Sequence, residues 1–359
     1  MNARQRFLET MNYGRPDRLP FYEFLGYWDQ TINRWHGEGL PSGMSVWDYF
    51  GFDKMDYVSI DCDAIPSFIT RTLQEDERYV TVSVESGGLR WVSKNLKAGT
   101  SMPLFLEFGI KDRDDFEKIK ARFNPEDMRR YPKNWSDELL DYYRSTDKPV
   151  GIGLPGLFGY VRGMTGMERL LVWFHKDPKL VHNMFDFFTD FQINATRKAI
   201  EEAKIDFATI WEDMAYRTGP HIPPKAFSEF MLPGYKKITG FLRNHGIDVI
   251  MVDSDGDISS LVPLFMEGGV NCPYPLEVQS GMNWMELRGK YGKRLRMIGN
   301  IDKRALMEGP DAIRKEVESK LAMASDGGYI PSVDHCVPAD VPFENYVYYI
   351  ELLKGSLSR

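Results

Sequence analysis

The chain has 359 residues, is 43% hydrophobic and 27% charged, and carries a formal net charge of −7. This is the profile of a globular protein with a large core, and its interspersed charges leave no basic face for tracking phosphates, which argues against nucleic acid. No apolar run nears the ~20 residues of a membrane span, and the opening MNARQRFLET has no apolar signal core, so no membrane contact and a cytoplasmic setting are expected. Cys62, Cys272 and Cys336 stand in no CxxC spacing, which argues against a disulfide framework.

The first element is a short helix over residues 2–12. LPFYEF (19–24) reads as a first strand ending near Glu23, and the aromatic stretch 27–35 as a helix or lid. MDYVSID (55–61) is a second strand, ending in Asp61 and Asp63. The alternation over 79–84 and 89–93, around Glu85-Ser86-Gly87-Gly88, is a β-hairpin signature. Hairpins belong to antiparallel pairing, so this piece, about 79–94, reads as an insertion. PVGIGL (149–154) is a third strand, followed by the glycine-rich PGLFG. Helices are expected over about 165–176 and 178–203. The aromatic stripe of the second, which includes Phe187 and Phe191, fits core packing. IDFATIW (205–211) is a fourth strand running into Glu212 and Asp213, and one or two helices fill 224–245.

IDVIMVDSDGD (247–257) is the fifth strand, too apolar to face water before it stops in Asp253, Asp255 and Asp257. GVNCPY (269–274), LRMIGNI (295–301) and GYIPSV (328–333) complete the set, with helices near 283–290, 311–325 and 343–354. Strands alternating with helices call for parallel pairing and right-handed crossovers, and eight strands close a barrel. The expected fold is therefore α/β: a single (β/α)8 barrel over 1–359, with an N-terminal helical extension and the inserted hairpin. A doubly wound open sheet is the alternative, but no GxGxxG or GxxxxGK[ST] opens a helix.

A barrel presents its chemistry at the C-terminal ends of its strands. There the sequence collects Glu23, Asp61, Asp63, Glu212, Asp213, Asp253, Asp255, Glu277, Asp302, Asp334, His335 and Cys336. Acids crowded together must bind a cation, pair with a base such as Arg162, Lys303 or Arg217, or hold a proton. His335-Cys336 is the one adjacent His and Cys pair, and with carboxylate partners it offers donors for zinc. Their spacing matches no recognised zinc pattern, so a metal-free hydrogen-bonding site is favoured over a metal. No GxSxG elbow or HExxH motif is present.

GRPDRLPFYEF, GLFGYVRGMTGMERLL, WEDMAY, VDSDGD, NCPYPLEVQSGMN, GNIDKRAL and GGYIPSVDHCVPADVPFENY together resemble the uroporphyrinogen decarboxylase superfamily over nearly the whole chain. The resemblance implies a single (β/α)8 barrel and one of two chemistries. One is cofactor-free decarboxylation of uroporphyrinogen, served by an arginine-rich N-terminal segment, where this chain reads FYEFLGYWDQ. The other is methyl transfer to or from a corrinoid protein, often with a zinc-bound thiol. In that pattern a His-x-Cys pair ends the fifth strand and a third Cys follows the eighth. The corresponding positions here are Asp253, Asp255 and Cys336.

The expected activity is methyl transfer from a small methylated compound, a methyl ether or amine, to a corrinoid protein. Asp253, Asp255, Glu212 and His335 are the candidate catalytic residues. Tyr27, Trp28, Tyr160, Trp211, Glu277 and Arg162 are candidates for binding substrate, and Cys336, Asp255 and His335 for binding zinc. The corrinoid would come from a partner, because the chain has no DxHxxG segment. The alternatives are uroporphyrinogen decarboxylation, which needs no cofactor, and a catalytically silent ligand-binding barrel.

Overall fold

The computed structural model of the chain describes residues 1–97 and 103–357. Its strands, in order, are β1 (Asp56–Val58), β2 (Ile69–Glu75), β3 (Tyr79–Ser86), β4 (Leu89–Leu96), β5 (Leu104–Glu107), β6 (Val150–Pro155), β7 (Phe207–Trp211), β8 (Ala215–Tyr216), β9 (Gly219–Pro220), β10 (Val249–Asp253), β11 (Cys272–Tyr274), β12 (Met297–Ile301) and β13 (Tyr329–Val333). Helices separate the parallel strands, as the alternating pattern predicts.

β1, β6, β7, β10 and β11 pair in that order as one parallel sheet, and β12 pairs in parallel with β13. Two backbone bonds bridge β11 and β12: Arg296 N–H donates to Asn271 O over 2.7 Å and Asn300 N–H to Pro275 O over 2.9 Å. The expected first strand, 19–24, forms no regular ladder. It nevertheless lies beside β13, where Ser332 Oγ and Val333 N–H donate to the Glu23 carboxyl at 2.5 and 3.1 Å. On its other side, Asp53 N–H, just ahead of β1, donates to Phe21 O at 2.8 Å.

The burial pattern closes the circle. Tyr22, Phe207, Val249, Met251, Cys272, Tyr274, Ile298 and Ile330 form one buried cluster, with Phe7 and Met11 of the helix Ala3–Met11 packed into it. These residues come from segment 19–24 and from β7, β10, β11, β12 and β13. An open sheet has two separate faces and could not gather them into one core. A barrel lumen does so, and a barrel interior fills in layers. Strand register orders those layers. Tyr57, Gly151, Phe207 and Val249 lie abreast; Gly153, Thr209, Met251 and Cys272 follow; and Pro155, Trp211, Asp253 and Tyr274 form the top row. The alternate residues Ile250 and Val252 turn outward into the helical core. There Leu180, Met184, Phe191 and Ala195 of the helix Pro178–Glu202 are buried as expected, while Phe187 is only partly buried and Phe188 beside it takes the core position.

The insertion is larger than a hairpin. β2, β3, β4 and β5 make a four-stranded antiparallel sheet. β2 and β5 escaped the sequence reading because they are mostly exposed and show no half-buried alternation. Among the described residues no helix is long and apolar enough to cross a membrane.

Candidate active site

Asp253 stands at the end of β10 with Trp211 on one flank and Tyr274 on the other. The strand's alternation aims it inward. Val249 and Met251 already face the lumen, and period two brings Asp253 to the same face at the rim. Burial, reinforced by the nearby Asp255 and Asp213 carboxylates, pushes Asp253 up to about 7. Tyr274 flanks it in the same row and Tyr57 comes from the row two below; burial raises both phenols, Tyr57 to about 12. The sequence reading missed these two tyrosines. Their signal was available in the period-two spacing of Tyr274 from Cys272.

The strand ends at Asp253, so Asp255 lies in the loop beyond it. That loop turns at Gly256, whose φ is +79° and where an added Cβ would come within 2.6 Å of Tyr216 O. His335 Nε2 lies 3.2 Å from Asp255 Oδ2, and this hydrogen bond raises the imidazole above its ordinary value. Trp28 stacks beside the imidazole with ring centroids 6.3 Å apart. Asp253, Asp255, His335 and Trp28 are thus brought together as expected, although Asp255 and His335 are 80 positions apart.

Glu212 is not in the open mouth. It is fully buried at the end of β7 and accepts Leu157 N–H at 2.7 Å, Gly159 N–H at 2.9 Å and Tyr235 O–H at 2.7 Å. It caps the helix Leu157–Thr165, whose own N-cap, Gly156, has no side chain to offer. The PGLFG glycines make this possible, since a Cβ at Gly156 would lie 2.0 Å from Trp211 O and 2.5 Å from the Glu212 carboxyl carbon. Glu212 therefore has its acceptors spent on structure and does not reach the lumen.

Other expected site residues are also committed to neighbours. Glu277 accepts Gly256 N–H at 3.1 Å and pairs with Lys303 at 2.8 Å; burial pushes its carboxyl up, but Lys303, Gln279 and Gly256 N–H together more than reverse this. Arg162 donates to both the carbonyl and the carboxylate of Asp213 at 2.8 Å. Tyr160 donates to Cys62 O at 2.8 Å, beside Asp63. Tyr27 meets Tyr346 hydroxyl to hydroxyl at 2.7 Å and packs on Trp35 and Trp47, behind the rim instead of on it. Trp211 is half exposed at the mouth. Asp334 accepts Val278 N–H at 2.8 Å and Lys303 N–H at 3.1 Å, and burial raises it to about 6.

The expected zinc donors do not converge. The Cys336 thiol donates to Leu25 O at 3.0 Å, and burial near Asp255, Glu23 and Asp253 pushes it up to about 11. Among the described residues no three His, Cys, Asp or Glu side chains form a group able to hold a metal ion. As arranged, the donor set of Cys336, Asp255 and His335 does not fit zinc, because two of its members bind each other and the third bonds a carbonyl.

Glu23 carries a separate consequence. It is buried between segment 19–24, β13 and Tyr346, and burial raises it to about 8 despite its three hydrogen bonds. An unfolded Glu releases its proton near pH ~4.3. The folded state therefore holds a proton the unfolded chain lacks between those values, and stability declines as pH rises through that window. Glu23→Gln is expected to flatten the decline in urea midpoint between pH 5 and 8. Equal slopes for the two proteins would contradict the assignment.

A family model for uroporphyrinogen decarboxylase (URO-D) matches residues 156–355. The uroporphyrinogen decarboxylase of Actinobacillus succinogenes is 27% identical over 207 residues, 54% of this chain and 52% of that protein. That of Serratia proteamaculans is 25% identical over 262 residues, 67% of this chain and 68% of that protein. The matched region thus spans about half the length of the first relative. A methyltransferase from Methanosarcina mazei superposes over 99% of this chain and 98% of its own with a TM-score of 0.61 at 13% identity, a likeness of fold. The family match covers more than half of the sequence, including every barrel strand from β7 to β13. The chain belongs to the uroporphyrinogen decarboxylase family.

Proposed function

We propose that this barrel transfers a methyl group from a small methylated compound to a reduced corrinoid carried by a separate protein. One observation carries the reading: a carboxyl that titrates near neutrality, Asp253, at the lumen end of an acidic mouth, beside the Asp255–His335 pair. Demethylation of an ether leaves an oxyanion that needs a proton, and a group titrating near the working pH is suited to deliver it. Asp253 supplies the proton. Asp255 favours the protonated form of His335, and Trp28 fixes the face of the imidazole that borders the substrate. Tyr57 and Tyr274, both raised by burial, stay neutral beside Asp253. The fold likeness to the M. mazei methyltransferase is compatible with this reading.

The curated relatives favour a second reading, decarboxylation of uroporphyrinogen. Its substrate carries eight carboxylates and calls for unpaired cations. At this mouth Arg162 is paired with Asp213 and Lys303 with Glu277. The field facing a polycarboxylate is therefore unfavourable.

The test is anaerobic incubation with cob(I)alamin and methyl ethers or methylamines, following loss of the cob(I)alamin absorbance. Methyl transfer that depends on Asp253 and Asp255 is the expected result. Conversion of uroporphyrinogen to coproporphyrinogen, with no methyl transfer from any donor, would establish the second reading instead.

A further inference from the structure

At the end of the barrel away from Asp253 lies a cavity of about 550 Å³ that the mechanism above does not use. Val270 and Asn271, in its wall, lead into the start of β11, and Tyr274 at the other end of that strand flanks Asp253. Three helices bound it: Leu232–Asn244, Val262–Glu267 and Trp284–Tyr291. Arg243 enters from the last turn of the first, and Arg294 from just beyond the third.

Among the described residues neither arginine forms an ion pair, although the chain as a whole is acidic. Arg243 Nη2 donates to Gly269 O, and Arg294 Nε donates to Tyr291 O at 3.4 Å. A guanidinium carries five N–H donors, so both keep donors to spare. The seat of Arg243 is built into the turn beneath it. Thr239 Oγ1 donates to Gly268 O at 2.7 Å, and Gly269 has a φ of +93°. A Cβ at Gly269 would lie 2.5 Å from Arg243 Nη1, so glycine is what lets the guanidinium rest there. A third donor is the Tyr291 hydroxyl, which is buried and has no partner among the described residues. The one carboxylate among the lining residues, Glu267, is already paired with Lys236 at 2.7 Å. The Asn271 side chain is spent on Asp248 O and Ile250 N–H, at 2.7 and 3.0 Å.

We propose that this cavity binds a small organic phosphate monoester, at a site separate from the acid mouth. The proposal stands apart from the methyl-transfer reading. A phosphate monoester carries close to two negative charges and three acceptor oxygens. It therefore matches two arginines and one hydroxyl, arriving from two sides of the cavity. A carboxylate brings one charge and two oxygens and would leave one of the three donors unmet. An oxygen bonded to the Tyr291 hydroxyl also relieves the cost of a buried donor left unpaired.

The remaining walls call for a carbon body on that phosphate. Pro263, Met266 and Val270 are apolar, and the cavity has the size of a small-molecule site. Inorganic phosphate would leave these walls bare. Catalysis by a barrel belongs to the opposite, C-terminal face, so a ligand held here acts as an effector and not as a substrate. It would fasten the helix Leu232–Asn244 to the segment Gly292–Arg294, on either side of the entry to β11.

Phenyl phosphate, inorganic phosphate and benzoate serve as probes, titrated by calorimetry into the wild type, Arg294→Ala and Tyr291→Phe. Ionic strength is held constant, because salt screens exposed charges. Phenyl phosphate is expected to bind the wild type more tightly than either other probe. Each substitution is expected to weaken it by about tenfold or more, the loss of one charge-assisted hydrogen bond. Dependence on Arg294 and Tyr291 separates this cavity from the mouth, where Arg162 and Lys303 are already paired. Benzoate binding as tightly as phenyl phosphate would overturn the phosphate assignment, and inorganic phosphate doing so would overturn the carbon body. Phenyl phosphate that fails to bind the wild type, or binds both variants unchanged, would overturn the site. The comparison of the three probes uses the wild-type protein alone, so it decides the ligand class even if a variant does not fold.

Discussion

Asp253→Asn is expected to lower the rate of methyl transfer by about 10² to 10⁴, the range spanned by loss of a general acid. The amide matches the carboxyl in shape, so the lumen row of Pro155, Trp211 and Tyr274 is left in place. What is lost is the proton. Burial and the neighbouring carboxylates raise Asp253 to about 7, so the acid form is abundant below that pH and disappears above it. The wild-type rate should therefore fall as pH rises through about 7. The variant's residual rate should show no such limb. A variant that keeps wild-type turnover, or the same pH limb, would remove Asp253 from the chemistry. Single-turnover measurement with cob(I)alamin separates the transfer step from product release.

Glu212→Ala is expected to have the largest effect on stability, about 3–5 kcal/mol, the cost of stripping the partner from buried polar groups. The loss leaves Leu157 N–H, Gly159 N–H and Tyr235 O–H without their acceptor in a site closed to water. It also removes the side-chain acceptor that caps the helix Leu157–Thr165. Urea denaturation at constant pH measures the change. A shift below about 0.5 kcal/mol, the size typical of an ordinary surface replacement, would mean that the Glu212 side chain does not hold this helix. A folded variant that loses methyl transfer alone would return Glu212 to the catalytic set.

The two predictions separate residues that look alike in the sequence. Glu212 and Asp253 both end apolar strands, and both were candidates for catalysis. Strand periodicity was legible, and it places Asp253 inward two residues after Met251. The partner of Glu212 was not legible, because it lies some 55 positions away in a glycine-rich turn whose function is to let a carboxylate approach. The same limit applies to Glu277, Arg162 and Tyr27. Each has the residue type of a ligand-binding group, and each is committed to a neighbour that folding alone supplies. The barrel was readable from the alternation of strands and helices. The inserted sheet was readable only in its hairpin half, since exposed strands carry no burial signal. The directions of the proposed zinc donors were not legible either: adjacent His335 and Cys336 leave the strand end toward different partners, Asp255 and Leu25 O.

All of these roles require β10 and β13 to meet across one rim. The direct measurement is the titration of His335 by NMR in the wild type and in Asp255→Asn. Closure of the barrel predicts a wild-type imidazole above its ordinary ~6.5 that falls back when the Asp255 carboxylate is removed. The same midpoint in both proteins would mean that residues 255 and 335 do not share a rim, and would contradict the site built on them.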